Sequence, residues 1–312
     1  MDNKIKVFIT GGSGYLAVSI ANILKKNFYI TLATRFPKKI NLKDKNIKII
    51  KTFYKKEDLL RKTKNYNTII HLIGFANKQA ANNKKESLRL KSRSTKNILY
   101  ICKKNNIKNL IYISSSKVYQ NFDKINVISE NQKKETKNIY SLSHLQAEKI
   151  ISNNLTFKLN TKILRLSNVF GLSIYHNSEE ALNNLINNFC YQGIYNNSII
   201  VKKPNIVRNF FPLTLLAKII YSIIKNKEKK LLTITNLGYK SFTLYKLAYL
   251  VKKLIKKVLN KDIKLILNER LIDRKVALYK SSYYNYKYSK KLFCNEIKKL
   301  LIILIKNEKK NK

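Results

Sequence analysis

Three small residues follow the first apolar segment of the chain at a spacing that suits the binding of a diphosphate. Residues 6–10 run directly into Gly11, Gly14 and Ala17, in the order Gly-x-x-Gly-x-x-Ala. Gly11 permits a tight turn, Gly14 permits close approach of the backbone to a pyrophosphate, and Ala17 permits close packing of helix on strand. Because the turn lies between a predicted strand and a predicted helix, it predicts a dinucleotide site rather than an ordinary glycine-rich turn.

The end of the second predicted strand bears on the choice of dinucleotide. A carboxylate at this point would bind the ribose 2′-hydroxyl of NAD, but the sequence ATRFPKK at residues 33–39 contains none. Arg35 could instead stack on adenine and pair with a 2′-phosphate. NADP is therefore favoured over NAD, and the alternative is that Arg35 is one more surface cation of a basic chain.

The elements that must position this turn alternate along the first half of the chain. Apolar segments predict strands at residues 6–10, 29–33, 47–51, 68–73, 110–114 and 161–166. Amphipathic stretches between them predict helices, the longer ones at residues 84–105 and 140–152. Continuously apolar strands that alternate with helices are typical of a parallel sheet covered on both faces. We therefore predict an α/β fold, a Rossmann-like doubly wound parallel sheet.

The alternation becomes looser after residue 167. Helices are predicted at residues 179–191, 213–225, 243–259 and 294–306, with a short strand near residues 231–234. We predict an NAD(P)-binding Rossmann domain over residues 1–167 and a smaller, mostly helical substrate-binding domain over residues 168–312, interleaved with the first across an approximate boundary. The tyrosine-rich segment 279–288 is predicted to be a polar surface or a substrate lid, with base stacking as the less favoured alternative.

The charge balance of the chain is strongly basic. There are 64 Lys and Arg residues against 17 Asp and Glu, which gives a net charge of +47. Such a surface would attract polyanions. However, the cations are spread along the whole chain together with many Asn and Ile residues, which indicates a bias toward A/T-rich codons. A nucleic-acid partner is therefore open but not favoured.

Cysteine, histidine and hydropathy patterns argue against several classes of protein. The three cysteines and three histidines show no ligand spacing, so neither a disulfide framework nor a metal site is predicted. No segment approaches the ~18 apolar residues of a spanning helix. The first residues also lack the apolar core of a signal peptide. The expected location is the cytoplasm, without a membrane span.

Five short motifs together resemble those of one known family. They are TGGSGYLA from Thr10, SSSKVY from Ser114, YSLSHLQAE from Tyr140, RLSNVFG from Arg165 and RNFF from Arg208. Each is similar to a motif of the extended short-chain dehydrogenases/reductases, in the NAD(P)-dependent sugar-nucleotide epimerase/dehydratase group. The resemblance runs from Thr10 to about Val251 and therefore covers most of the chain.

This resemblance implies hydride transfer at a carbinol or ketone of a nucleotide-activated sugar. Tyr140 would be the general acid/base, and Ser115 would hydrogen-bond the same substrate oxygen. Asn168 would contact the phosphate or sugar of the substrate and Arg208 its diphosphate, with a loop cap and a solvated charge as the respective alternatives. The cofactor contacts would come from Gly11, Ser13, Gly14, Tyr15, Leu16, Arg35 and Leu72.

The chain departs from the family pattern at residue 144. The family carries a lysine four residues after the tyrosine, where its ammonium binds the nicotinamide ribose and lowers the tyrosine pKa, whereas this sequence has His144. Residues at i and i+4 share a helix face, so His144 keeps the position. Because a reference histidine has a pKa of ~6.5, it is mostly neutral at pH 7 and supplies little fixed charge.

Two hypotheses about function follow. The favoured one is an NAD(P)-dependent epimerase or reductase in which His144 is a working replacement for lysine, with dehydration also open. The alternative is a catalytically weakened nucleotide-binding protein, or an RNA- or polyanion-binding protein, on the same fold. The family resemblance also implies a homodimer through the helices at residues 84–105 and 140–152.

Overall fold

The structure is a computed structural model in which part of the chain is described. The described residues are 4–119, 127–132, 134, 136–155, 159–172, 182, 184–226, 231–271, 278–279 and 287–311. The start of the helix predicted at residues 179–191 and most of the tyrosine-rich segment 279–288 lie outside them.

The elements follow one another in the α/β order that the sequence predicts. The strands are β1 (Lys6–Thr10), β2 (Tyr29–Thr34), β3 (Ile47–Lys51), β4 (Thr68–His71), β5 (Asn109–Ser115), β6 (Val127–Ile128), β7 (Asn160–Leu166), β8 (Asn168–Phe170), β9 (Ser198–Val201), β10 (Val207–Pro212), β11 (Leu232–Leu237), β12 (Lys240–Thr243), β13 (Lys264–Leu267) and β14 (Leu278–Tyr279). The α-helices are α1 (Tyr15–Leu24), α2 (Lys56–Lys62), α3 (Asn77–Asn82), α4 (Lys84–Lys104), α5 (Ile139–Ser152), α6 (Leu185–Tyr195), α7 (Leu213–Lys225), α8 (Leu244–Leu259) and α9 (Lys290–Asn311).

A seven-stranded sheet carries the site, in the order β11-β7-β5-β4-β1-β2-β3. The strand pairs from β7 across to β3 are all parallel. Strand β1 lies between β2 and β4, which is the point where the order of the strands reverses. Ligands of open α/β sheets bind outside the carboxyl ends of the strands at such a point. The predicted Rossmann-like fold class is therefore confirmed.

The core of this sheet explains why its strands are continuously apolar. Phe8 on β1, Ile69 on β4 and Ile163 on β7 are fully buried, and Ile151 of α5 joins the same cluster. Removing each such side chain from water contributes about 1.5–3 kcal/mol. Helices α4 and α5 pack against each other beside these strands, so residues on their inner faces are held next to the ends of β4 and β5.

The chain forms two compact units. The first comprises residues 1–120, 131–166 and 217–235, and the second comprises residues 121–130, 167–216 and 236–312. Within the second unit, β10 pairs with β8 in parallel and with β12 antiparallel, and β9 pairs with β13 in parallel. These short strands were not predicted, because segments of three to six residues that are only half-buried give little periodic signal.

Helix α6 differs from the sequence expectation at its C-terminal end. A helix was predicted to end at residue 191, but α6 continues to Tyr195. Its buried face includes Phe189, Cys190 and Ile194. Ile194 therefore extends the apolar stripe by one more turn, and this added burial stabilises the longer helix.

Candidate active site

The glycine turn after β1 has the conformation that its sequence demands. Gly11 has a φ of +70°, and a Cβ there would lie 3.0 Å from the backbone carbonyl carbon and oxygen of Leu72. Gly14 donates its N–H to the Gly11 carbonyl at 2.9 Å and is the N-cap of α1. Gly11 thus needs to be glycine both for its backbone angle and for its closeness to the β4 end.

Gly12 is a further constrained position, which the sequence analysis did not single out. Its N–H donates to the Ala33 carbonyl at 2.8 Å. A Cβ on Gly12 would lie 2.9 Å from the backbone of both Leu32 and Ala33. Gly12 therefore lets the turn pack directly on β2, and the Gly11–Gly12 pair in the sequence was the available signal.

Tyr54, in the loop after β3, makes two hydrogen bonds that hold this turn in place. The Tyr54 hydroxyl donates to the Ala33 carbonyl at 2.6 Å and accepts the Gly11 N–H at 3.0 Å. Burial raises the pKa of Tyr54 to about 12, although the Gly11 hydrogen bond and the charge of Arg35 lower it. The phenol therefore stays protonated and keeps donating at any physiological pH. Sequence reasoning did not place Tyr54 in the site, since no local pattern shows that this side chain reaches back to β1.

The predicted cofactor residues around the turn lie at the carboxyl ends of β1, β2 and β4. The Thr34 hydroxyl donates to the Ser13 hydroxyl at 2.9 Å. The Arg35 guanidinium lies 5.3 Å from the ring centroid of Phe36, a cation–π contact at the end of β2. Leu72 follows β4 and donates its N–H to Thr10 Oγ1 at 3.1 Å. Tyr15 and Leu16 begin α1, with Tyr15 buried and Leu16 half-buried.

The residues at this turn fit a dinucleotide. The first turn of α1 carries no acidic side chain, and its N-cap residue Gly14 makes no side-chain hydrogen bond to the helix. The N-terminus of a helix with unoccupied N–H groups favours an anion such as a pyrophosphate. Gly11 and Gly12 hold the turn close to the ends of β4 and β2, and Gly14 places no side chain at the start of α1.

The predicted catalytic residues come together at the ends of β5 and α5. Ser115 is the last residue of β5 and Tyr140 is the second residue of α5. Helix α5 begins here because the Asn138 side chain accepts the Ser141 N–H at 3.2 Å. Burial raises the pKa of Tyr140 above its ordinary value of 10.0, and a hydrogen bond with the Ser115 side chain lowers it by a smaller amount. The phenol is therefore protonated at neutral pH unless another group stabilises its anion.

His144 lies one helical turn below Tyr140 and is held neutral. The two ring centroids are 4.7 Å apart in an edge-on arrangement. His144 Nδ1 is 2.8 Å from the buried hydroxyl of Tyr112 on β5. Burial lowers the pKa of His144 well below its ordinary 6.5, and the charges of Lys91 and His71 lower it further. His144 therefore orients a hydrogen bond but carries no positive charge at neutral pH.

A lysine that the sequence analysis missed lies beside this group. Lys91 of α4 is only 3% exposed, and its Nζ is 5.7 Å from the ring centroid of Tyr112. Burial lowers the pKa of Lys91 from 10.5 to about 7. The signal was present in the sequence, because Lys91 occupies the same stripe of α4 as its buried residues Ser87, Ser94, Thr95 and Ile98.

His71, at the end of β4, makes the contacts of a packed strand histidine. Its Nδ1 is 2.9 Å from Thr10 Oγ1, and its Nε2 is 3.1 Å from Thr95 Oγ1. Since the Thr95 hydroxyl donates to the Lys91 carbonyl, Nε2 must carry the proton that it shares with Thr95. Burial lowers the pKa of His71 to about 3, so the ring is neutral.

A buried ion pair fixes the segment that carries Ser115. Arg165 of β7 and Glu148 of α5 are 1% and 5% exposed, and Arg165 donates to both Glu148 oxygens, at 3.0 and 2.6 Å. Arg165 also donates to the Tyr119 hydroxyl at 2.8 Å, and Ser114 donates to Glu148 at 2.6 Å. The Arg165–Glu148 pair therefore ties together α5, β7 and both ends of the segment 114–119.

The predicted substrate residues belong to the second unit. The Asn168 amide donates to the Asn209 carbonyl at 2.8 Å, a contact that joins β8 to β10. Arg208 lies on β10, where its Nη1 donates to the adjacent Val207 carbonyl at 3.2 Å. Both contacts are structural, and the substrate roles of Asn168 and Arg208 stay predictions.

The part of the chain that the structure describes has neither a metal-binding cluster nor a membrane-spanning helix. These residues include no group of His, Cys, Asp or Glu side chains that could hold a metal ion. Among the same residues, no helix combines the length and the apolar character needed to cross a bilayer.

The sheet order and the glycine turn define a Rossmann-like α/β fold with a dinucleotide-type turn after its first strand. The model of the NAD dependent epimerase/dehydratase family matches residues 7–238. The chain belongs to that family, as the sequence motifs predicted. No curated protein matches the sequence closely enough to be compared with it.

Several solved structures share this fold at low sequence identity. The UDP-N-acetylglucosamine 4-epimerase from Methanobrevibacter ruminantium M1, in complex with UDP-N-acetylmuramic acid, is 22% identical, with a TM-score of 0.81 over 98% of this chain and 99% of that chain. The UDP-glucose 4-epimerase from Bifidobacterium longum, in complex with NAD+ and UDP, is 19% identical, with a TM-score of 0.77 over 97% and 99%. The UDP-N-acetylglucosamine 4-epimerase from Bacillus cereus is 21% identical, with a TM-score of 0.74 over 96% of both chains.

Proposed function

We propose that this chain is an NAD(P)-dependent enzyme that epimerises or reduces a nucleotide-activated sugar, with Tyr140 as its general acid/base. The observation that carries the proposal is the pairing of Tyr140, at the amino end of α5, with Ser115, at the carboxyl end of β5, on the sheet edge that also carries the glycine turn. The complexes of similar folds with UDP-sugars and NAD support the substrate class.

Each residue has a chemical task in this proposal. A bound nicotinamide ring supplies the acceptor or donor of the hydride. The Tyr140 oxygen takes the hydroxyl proton when a carbinol is oxidised and returns a proton when a ketone is reduced. Ser115 hydrogen-bonds the same substrate oxygen and keeps it within reach of the phenol. His144 packs edge-on against Tyr140 and limits the movement of its ring.

The test is conversion of defined substrates by the purified protein. UDP-N-acetylglucosamine and UDP-glucose are incubated with NAD⁺, and the sugar products are followed by proton NMR of the anomeric signals. The wild type and His144→Lys are compared, since the lysine would restore a fixed charge beside Tyr140. We expect turnover in the wild type. Binding of neither NADH nor NADPH, together with no turnover in either protein, would overturn the proposal.

The preference for NADP rests on Arg35 at the end of β2. Arg35→Ala is expected to raise the dissociation constant of NADPH by roughly 10-fold, because a charge-assisted hydrogen bond to a phosphate is lost. The affinity for NADH should fall much less, because NADH lacks the 2′-phosphate and loses only the stacking of Arg35 on adenine. Nicotinamide fluorescence titration measures both constants, with the exposed Arg89→Ala on α4 as the matched control. Equal losses for NADH and NADPH would show that Arg35 does not read the 2′-phosphate.

A basic cleft favours polyanion binding as a second candidate function. It lies at the amino ends of β1 and β2, opposite the edge that carries the glycine turn. Seven cations line it together with one carboxylate, Asp58, and the cations are Lys4, Lys6, Lys45, Lys48, Arg61, Lys62 and Lys64. A steep fall of RNA affinity with salt, without binding of NADH or NADPH, would favour this candidate.

A further inference from the structure

Lys91 is a buried cationic residue beside the predicted catalytic group. Its side chain is 3% exposed, its Nζ lies 5.7 Å from the centroid of the Tyr112 ring, and none of the ion pairs found among the described residues joins it to a carboxylate. Burying a charge without such partners is costly. A cost of this kind persists in a folded protein chiefly where a ligand or a reaction uses the group.

The Lys91 ammonium lies under the loop that follows β4. A Cβ on Gly74, in the loop after β4, would overlap Nζ and Cε of Lys91. Gly74 is exposed whereas Lys91 is buried, so the ammonium lies directly beneath this surface glycine. The same loop begins with Leu72, a predicted cofactor residue. The backbone of Leu72 packs against the glycine turn at Gly11. The cation therefore lies next to the proposed nucleotide site.

We propose that Lys91 is the cation of this site: its ammonium binds the hydroxyl oxygens of the bound nicotinamide nucleotide and supplies the positive charge that His144 does not carry. This inference rests on the proposed function. The positive charge of Lys91 acts on residue 144, since it lowers the pKa of both His144 and His71. A lysine from α4 thus takes the place that a lysine on α5 has in the family pattern.

Protonation of Lys91 should then be coupled to nucleotide binding. The described titratable groups beside it are His71 on β4, Tyr112 on β5 and His144 on α5. Tyr140 and Glu148 lie one contact further away, next to Tyr112. The two histidines titrate far below pH 7 and the tyrosines above pH 10. Lys91, with a pKa of about 7, is mostly neutral at pH 8 in the free protein. If binding requires the ammonium, the protein takes up a proton and binds less tightly as the pH rises.

The experiment measures NADH binding between pH 6.5 and pH 9. NADH is chosen because it lacks the 2′-phosphate, which would titrate in this range. We expect the wild-type dissociation constant to rise by up to about 10-fold per pH unit above pH 7.5. Calorimetry at pH 8 in two buffers of different ionisation enthalpy should show net proton uptake by the wild type and by Tyr140→Phe.

Two variants separate a ligand-binding role of Lys91 from a structural one. At pH 6.5, Lys91→Met should bind NADH roughly 10–100-fold more weakly than the wild type, without proton uptake, and the two proteins should converge at pH 9. Lys96→Met, an exposed position on the same helix, should match the wild type throughout. This inference is overturned if the wild type binds NADH without taking up a proton, or if NADH binding by Lys91→Met keeps the pH dependence of the wild type. Either result leaves the proposed function intact. If the wild type binds neither NADH nor NADPH, both this inference and the proposed function are overturned.

Discussion

Arg165→Met is expected to lower the free energy of unfolding by about 3–5 kcal/mol, because it leaves the Glu148 carboxylate buried without its cation. Glu148 is 5% exposed and accepts two hydrogen bonds from Arg165. After the substitution only Ser114 still donates to this carboxylate among the contacts described above. Urea unfolding followed by circular dichroism measures the change.

A double variant separates the loss of the pair from the loss of packing. Arg165→Met combined with Glu148→Leu should recover most of the stability, since replacing a buried ion pair by apolar groups of similar volume is often close to neutral. The control is Arg89→Met at an exposed site of α4, which should change stability by less than about 0.5 kcal/mol. If the double variant is less stable than Arg165→Met alone, the unpaired carboxylate is not the cause of the loss.

Tyr140→Phe is expected to lower kcat by about 10²–10⁴-fold, because it removes the hydroxyl that transfers the substrate proton. The affinity for NADH should stay the same, since the ring and its packing on His144 are kept. The NMR assay with a UDP-sugar measures kcat, and fluorescence titration measures the affinity. Tyr191→Phe, at a 37% exposed position on α6, is the matched control.

The pH dependence of the wild-type rate provides a second readout of Tyr140. Burial raises the pKa of the phenol above 10.0, so the oxidising direction, which needs the anion, should accelerate as the pH rises through the neutral range. Loss of the Lys91 ammonium above pH 7 opposes this rise. A rate that Tyr140→Phe leaves unchanged would show that the acid/base group lies elsewhere, whatever the shape of the wild-type profile.

Local sequence determined the fold class and the family of this protein. The segment from Lys6 to Ala17 contains a buried strand, a turn that only glycine can form at Gly11 and the start of a helix, all within reach of local rules. The positions of Tyr140 and Ser115 followed in the same way, since each lies at the end of an element whose periodicity is visible. Short-range geometry is enough for such features, because each depends on neighbours in the chain.

Only the tertiary structure decided how the charges of the site are arranged. His144 is neutral and the pKa of Lys91 is lowered to about 7 because α4, α5 and β5 together exclude water from both side chains. Likewise, Gly12 proved to be constrained by β2, and Tyr54 by contacts 21 and 43 residues away in the chain. Desolvation and long-range packing depend on which elements meet, and neither has a signature in local spacing. The glycine turn could therefore be predicted from the sequence. The proposed role of the Lys91 cation near Tyr140 could be inferred only from the fold.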